Sequence, residues 1–327
     1  MEDQSPWVAR DRLAGSLLGL LIGDALGVPY EFHPPEALPA DAEIDFTPPA
    51  SFSRSRAGVA PGTWSDDGAQ ALVLLDSLLT CKRLDLDHFA SSLLRWHAEG
   101  FCAVDGNIFD IGIQTQTAIA RLKAGTPPSQ SGPAGERDNG NGSLMRVLPL
   151  ALWHEGRDAE LAMLAAEQSV PTHGHPRSQI ACALYCLWVR FALSGALDPW
   201  ERATQRLRRI APELSFPFAE VENVLDPANA ANTRGTGYVV DSLWSARAAV
   251  VHTSSFEDCV RAAIAFGNDT DTTAAIAGGV AGAIYGLAGI PIRWRRDLRG
   301  TDIQQPLLSA LLDVRVPGLM LYHQIKA

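Results

Sequence analysis

Two short stretches of the chain join acids to hydroxyls: Ser65-Asp66-Asp67 in GTWSDDGAQALVLLDSLL, and Asp269-Thr270-Asp271-Thr272 in GNDTDTTAAIAGGVAGAIYGLAGIP. Each heads an apolar run of helical period. Capping accounts for either stretch alone. Ser65 as N-cap with acids in the first turn suits the helix dipole, and Asp269 or Thr270 permits the same at the second. Capping does not account for two acids with a hydroxyl occurring twice. Together Ser65, Asp66, Asp67, Asp269, Asp271 and Thr272 offer four carboxylates and two hydroxyls. Such an all-oxygen set suits hard divalent cations, Mg²⁺, Mn²⁺ or Ca²⁺, over zinc. Four carboxylates gathered without a cation would repel one another and their pKa values would rise. Two metals about 3.5–4 Å apart would relieve that and could clamp a substrate with its attacking water.

Other residues with chemical potential are more ambiguous on pattern alone. Gly140, Asn141, Gly142 and Ser143 form a turn before SLMRVLPLAL, either a phosphate cradle of backbone N–H groups or simply a flexible turn. His173 and His175, in THGHP, have no third soft ligand at a spacing that would make a zinc site. Asp110, in FDIG, reads as an acid at a helix N-terminus, and Tyr238, in GYVVDSLWSA, as a core tyrosine.

The elements that must position these residues are helical. Apolar residues recur at helical spacing nearly throughout, and strand-type alternation is scarce. Helices are expected over about 9–27, 66–82, 86–99, 110–124, 142–154, 158–170, 176–194, 200–210, 236–251, 256–266, 271–287 and 303–313, separated by Pro/Gly-rich breakers. With no repeat period and no long featureless linker, the expected architecture is all-α: a single compact multi-helix domain over 1–327. Glycine recurs every four residues at Gly15, Gly19, Gly23 and Gly27, and clusters again at Gly278, Gly279, Gly282 and Gly286. A helix-interior glycine costs up to about 1 kcal/mol relative to alanine. So many are tolerable only where another backbone comes close. Two close-packed helices would then carry Asp24, and Asp269 with Asp271, to the middle of the protein.

A chain of 327 residues, 46% hydrophobic and 20% charged, is globular rather than disordered. Its net charge of −10 disfavours nucleic acid or anionic membrane as a partner, and RATQRLRRI (202–210) and RWRRDLR (293–299) read as solvated helix faces. Five cysteines without CxxC spacing argue against a disulfide scaffold and fit a cytoplasmic location, with Cys182 and Cys186 in the core. LAGSLLGLLIG (13–23) imitates a signal peptide, but Glu2, Asp3 and Asp11 precede it and no A-x-A-like site follows. TTAAIAGGVAGAIYGLAGIP (272–291) nears membrane-spanning length, but its Ala/Gly content and acidic entrance suit a buried helix, so no membrane is expected as partner. The polar stretches SRSRAG (53–58) and PPSQSGPAGERDNG (127–140) are long enough to contact a protein substrate.

Seven blocks, in order, carry a resemblance: GSLLGLLIGDALGVPYEF, GTWSDDGAQALVLLDSLL, FDIGIQTQTAI, NGNGSLMRVLPLAL, THGHPRSQIACALYCL, GYVVDSLWSA and FGNDTDTTAAIAGGVAGAIYG. Over about 10–292 the chain resembles the ADP-ribosylglycohydrolase family, including its dinitrogenase-reductase-activating and ADP-ribosyl-arginine hydrolases. The resemblance implies an all-α fold with a central cleft holding two divalent cations, Mg²⁺ or Mn²⁺. It implies metal ligands at Ser65, Asp66, Asp67, Asp269, Asp271 and Thr272, with Ser65 where many relatives have threonine. It implies that Glu31 gates the site, that Asp110 works near the scissile bond, and that Asp110 or Asp67 activates water. Gly140, Asn141, Gly142 and Ser143 would line a diphosphate and ribose pocket, with His173 touching substrate and Tyr238 near the adenine or ribose. The implied reaction hydrolyses the N-glycosidic bond between ADP-ribose and arginine on an ADP-ribosylated protein, with ADP-ribose as product. Ile113 follows FDIG where the bacterial enzyme has asparagine, which leaves serine-linked, O-acetyl- and nucleobase-linked ADP-ribose as alternatives. A non-catalytic, crystallin-like role would be marked by lost metal ligands, and all six are present.

Overall fold

Five helices built on the apolar runs carry the centre of the molecule: α1 (Pro6–Gly27), α2 (Asp66–Cys81), α3 (Pro176–Leu193), α4 (Val239–Val251) and α5 (Thr270–Tyr285). The computed structural model describes residues 5–317, and the ends of the expected 1–327 domain lie outside them. Every residue from Leu13 to Gly27 is buried, as is every residue from Thr270 to Ala283. Helices buried all round belong to a core.

The glycine spacing explains why these two run together. A Cβ built on Gly19 would stand 2.3 Å from the carbonyl oxygen of Gly278, and one on Gly278 would stand 2.2 Å from that of Gly19. Only hydrogen fits at either position. Gly15 opposes Gly282 and Gly27 opposes Asp271, so the helices are antiparallel and the C-terminus of α1 lies beside the N-terminus of α5. Ser16 and Thr270 tie the pair across this seam, donating to Gly279 O and Gly27 O at 2.7 and 2.8 Å. Pro6–Tyr30 is long and apolar enough to cross a membrane, but 94% of that window is buried within the protein.

Asp24 brings in the third helix end. Its buried carboxylate accepts the amide of Ser65 at 2.9 and 3.0 Å and that of Gly68 at 2.7 Å, fastening the first turn of α2 against α1. The α3 and α4 helices close the other side, where Trp188, Trp200 and Trp244 stack edge to face with centroids 5.0 and 5.1 Å apart. Among the described residues the fold is a single helical body with no strand; an isolated bridge joins Gly140 to Tyr238. The five cysteines are free, and Cys182 and Cys186 are buried in α3.

Several expected boundaries shift. The helix expected over 142–154 is confined to Leu148–Trp153, because Pro149 has no amide to return to the carbonyl four residues earlier and fits only a first turn. The helix expected from 110 begins at Ile113, since Asp110 takes a left-handed φ of 59°. Gly286 lies just past α5, at φ 71°, rather than inside it. Short helices at Pro128–Ser131, Phe218–Leu225 and Ile292–Asp297 occupy segments whose prolines suggested only breakers.

Candidate metal centre

The start of α2 caps and presents at once. The Ser65 hydroxyl accepts the amide of Asp67 at 3.3 Å, as an N-cap should. Asp66 turns its Oδ2 to Gln70 Nε2 at 2.9 Å, one turn along the helix, and Gln70 Oε1 accepts from the fully buried Arg146 at 3.0 Å. Asp269 holds the N-cap position of α5 yet makes no capping bond. Its Oδ2 instead accepts from Asn141 Nδ2 at 2.7 Å. The two acidic stretches meet where Thr272 Oγ1 donates to Asp67 Oδ2 at 3.3 Å. Five of the six residues expected as ligands are buried, and Asp269 is partly buried. Among the described residues, Asp67 Oδ1 and Asp271 Oδ2 are buried without any hydrogen-bond partner.

Orphaned carboxylate oxygens are costly to bury. Desolvation, reinforced by neighbouring acids, pushes Asp66, Asp67 and Asp271 well above the usual carboxylate range, and Asp269 is raised chiefly by burial. Burial also lifts Asp24 to about 7, and burial with the nearby Asp110 lifts Glu31 to about 10. Glu31, Asp110 and Asp271 each offer an oxygen within 4.8 Å of the others. Converging oxygens, two of them unpartnered and all mutually repelling, fit hard divalent cations.

These groups form one wall of a cavity of about 730 Å³, a size suited to a small-molecule ligand. Asp66, Asp67, Asp269 and Thr272 line it with Glu31 and Asp110; Phe32, Gln114, Asn141, Gly142, Met145 and His173 are among the neutral residues of the lining. The glycine turn differs from expectation in one respect. The amides of Gly140 and Asn141 are already given to Gln114 Oε1 and to Gly237 O, the latter at 3.1 Å, so neither is free to hold phosphate. Gly142 lacks a Cβ because His173 packs there: an added carbon would lie 2.8 Å from His173 Cε1. Burial and Arg146 push the His173 imidazole down to about 3, so it lines the cavity as a neutral ring. His175 caps α3, accepting the Arg177 amide at 3.2 Å, and forms no zinc site with His173.

Two expected residues face elsewhere. Ser143 points into the core, where its hydroxyl pairs with Ser169 Oγ at 2.8 Å. Tyr238 is 38% exposed, does not line the cavity, and accepts from Arg177 at 3.3 Å; its backbone braces the glycine turn. Sequence reading assigned no individual role to Phe32, Gln70 or Gln114, and marked Arg56 only as part of the polar stretch 53–58. Gln70 had a signal, since position i+4 from Asp66 shares its helix face; Arg56 and Phe32 had none, being in irregular segments. Phe32, Arg56, Asp110 and Asn268 all adopt left-handed φ between 51° and 63° around the cavity mouth. Backbone strain of this kind, about 1 kcal/mol or more per residue, clusters at functional sites.

Comparison with known proteins gives concordant results. Residues 6–319 match the ADP-ribosylglycohydrolase family. The chain is 32% identical over 312 residues to an "ADP-ribosylarginine hydrolase Tri1" of Pseudomonas putida (strain GB-1), covering 94% of this chain and 80% of that one. It is 29% identical over 290 residues to an "ADP-ribosyl-[dinitrogen reductase] glycohydrolase" of Rhodospirillum rubrum, covering 87% and 89%. A solved "ADP-ribosylglycohydrolase-related protein complex" chain superposes with a TM-score of 0.74 at 30% identity, over 95% of this chain and 99% of that one.

Proposed function

The chain belongs to the ADP-ribosylglycohydrolase family of metal-dependent glycosidic-bond hydrolases, and on that premise we propose that it releases ADP-ribose from arginine side chains of modified proteins. The observation that carries the linkage is Asp110 at the cavity mouth, its oxygen within 4.8 Å of those of Glu31 and Asp271. An anionic mouth suits a guanidine leaving group, which is cationic once released. The arginine-directed hydrolase of Pseudomonas putida supports the same reading. The free thiols agree with a cytoplasmic setting.

Ser65, Asp66, Asp67, Asp269, Asp271 and Thr272 would hold two divalent cations, Mg²⁺ or Mn²⁺. Such ions, when bound, supply Lewis acidity that fixes a ribose diol and lowers the pKa of water. The remaining work falls to the chain. Asn141 holds Asp269 in place, while Gly142 and neutral His173 form the wall against which the ribose and diphosphate pack. Asp110 takes the proton of the attacking water, as a positioned general base, with Asp67 the alternative among the carboxylates that line the cavity. The water oxygen bonds to the anomeric carbon as its bond to the guanidine nitrogen breaks, through an oxocarbenium-like state. That nitrogen takes up a proton from solvent, Asp110 later returns its proton to solvent, and ADP-ribose and intact arginine are the products.

The test compares release of free ADP-ribose from arginine-linked and serine-linked protein by metal-loaded enzyme. The arginine linkage should be cleaved at least tenfold faster, and Asp110→Ala should abolish the difference. Equal or faster cleavage of the serine linkage contradicts the arginine reading.

A further inference from the structure

Arg56 is the cation at the cavity mouth. It comes from the half-exposed polar segment 53–58, and one of its terminal nitrogens donates to Asp110 Oδ1 while its Nε donates to Glu31 Oε2 at 3.3 Å. The guanidinium lies over the ring of Phe32, 5.1 Å from the centroid. Two carboxylates and one aromatic face are what a planar, forked cation requires, and they would serve a compact ammonium less well. Glu31, Asp110 and Phe32 are all part of the cavity lining. Glu31 is only 5% exposed at its side chain and Asp110 23%, so a cation held between them favours the ionised pair, which burial and mutual repulsion otherwise oppose.

Phe32 supplies a separate indication. Its ring is exposed although large and apolar, and its backbone is held at φ 63° by a reciprocal pair of hydrogen bonds: its amide donates to Asn268 O, and the Asn268 amide donates to His33 O, both at 2.7 Å. The chain thus spends backbone strain to keep an aromatic face at the mouth beside two acids. Arg56 is itself at φ 51°, 28% exposed at its side chain, and attached to a surface segment, so rotation of the side chain alone would vacate the position.

We propose that Glu31, Asp110 and Phe32 form a guanidinium subsite, and that Arg56 occupies it in the free enzyme as an internal stand-in for the substrate arginine. The proposal rests on the arginine reading of the site. Substrate must displace Arg56 before its own guanidinium can dock. Apparent affinity therefore falls by the fraction of molecules in which the subsite is vacant. A regulator or protein substrate that draws the 53–58 segment aside would raise activity without touching the chemistry.

The experiment uses the metal-loaded full chain and agmatine, a guanidinium without ADP-ribose, followed by titration calorimetry. Arg56→Gln should bind agmatine about tenfold more tightly than the parent, and Arg56→Lys should fall between them. Adding Phe32→Ala to Arg56→Gln should remove the gain. In parallel, KM for an arginine-linked ADP-ribosyl peptide should drop about tenfold in Arg56→Gln with kcat within about threefold. Arg56→Lys keeps the charge and so separates loss of the plug from loss of the fold. Agmatine affinity that is unaltered or weakened in Arg56→Gln, or a KM that rises, overturns the proposal. Tightened agmatine binding in an enzyme that leaves arginine-linked ADP-ribose intact would sustain the subsite and overturn the arginine reading instead.

Discussion

Thr272 Oγ1 donates to Asp67 Oδ2 across 3.3 Å, closing a sequence separation of 205 residues. That contact joins the head of α5 to the head of α2, and α1 makes it possible. Asp24 at the far end of α1 grips the amides of Ser65 and Gly68, while the last glycine of α1, Gly27, lies against the backbone of Asp271. Three helix ends therefore converge, and each delivers carboxylates that cannot be neutralised by the others.

Removing either side of that contact should show first in cation binding. Asp67→Asn should abolish the rise in Tm produced by Mn²⁺. Thr272→Val should weaken Mn²⁺ by about 10- to 100-fold, the usual effect of losing a group that orients metal ligands. Thermal shift against Mn²⁺ concentration measures both. Unaltered Mn²⁺ stabilisation in Asp67→Asn would mean that this carboxylate faces no ion.

Gln70 is a positioning residue. It donates to Asp66 and accepts from Arg146, a fully buried cation whose pKa burial lowers to about 10. Gln70→Leu strips a partner from each, which should cost about 1–3 kcal/mol in urea unfolding of the metal-free protein. It should also weaken Mn²⁺ binding, whereas Gln70→Glu should restore the pairing with Arg146 but set a second acid against Asp66. A Gln70→Leu protein with parental Mn²⁺ affinity would show that Asp66 needs no such support.

The helix seam offers a paired test. A Cβ at Gly19 meets Gly278 O at 2.3 Å, and one at Gly27 meets Asp271 Cα at 2.4 Å. Gly19→Ala and Gly27→Ala should each destabilise by about 1–3 kcal/mol through overpacking. Only Gly27→Ala should also lower Mn²⁺ affinity, because Gly27 lies directly against Asp271, and eight residues of helix, about 12 Å, separate Gly19 from that contact. Equal losses of Mn²⁺ affinity would indicate that the seam acts on the site as a rigid unit.

Stability should depend on pH in a direction opposite to that of ordinary acid denaturation. Burial raises Asp24 from 3.8 to about 7 and Glu31 from 4.5 to about 10, so the metal-free folded state binds more protons than the unfolded one. The stability these groups contribute is present below about pH 4 and is lost as pH rises through those raised values. Divalent cations remove the penalty. The Tm difference between Mn²⁺-loaded and chelator-stripped protein should therefore widen from pH 5 to pH 8. A difference that stays flat over that range would contradict the electrostatic account.

Much of this was legible before any coordinates. The two acid–hydroxyl stretches pointed to one another because capping could not explain both, and Asp269 indeed stands at an N-cap position without capping. The four-residue glycine period announced a backbone-to-backbone seam, and Gly19 and Gly278 form it. What stayed hidden depends on long-range geometry or on irregular backbone. The direction of Ser143 is set by Ser169, in the turn after the helix Asp158–Glu167, and by Cys182 in α3, and the short helix after it starts late because of Pro149. Arg56 and Phe32 sit in segments without period, at left-handed φ that a non-glycine residue rarely adopts. Periodicity carries no information about such positions.

The most direct test of the metal-dependent hydrolase is release of free ADP-ribose from arginine-ADP-ribosylated protein by chelator-stripped enzyme, before and after addition of Mg²⁺ or Mn²⁺, alongside Asp271→Asn. Activity should be absent when stripped, return with either ion in the parent, and fail to return in a folded Asp271→Asn. Release that continues in the stripped enzyme, or that returns fully in Asp271→Asn, would contradict a cation site built on these converging acids.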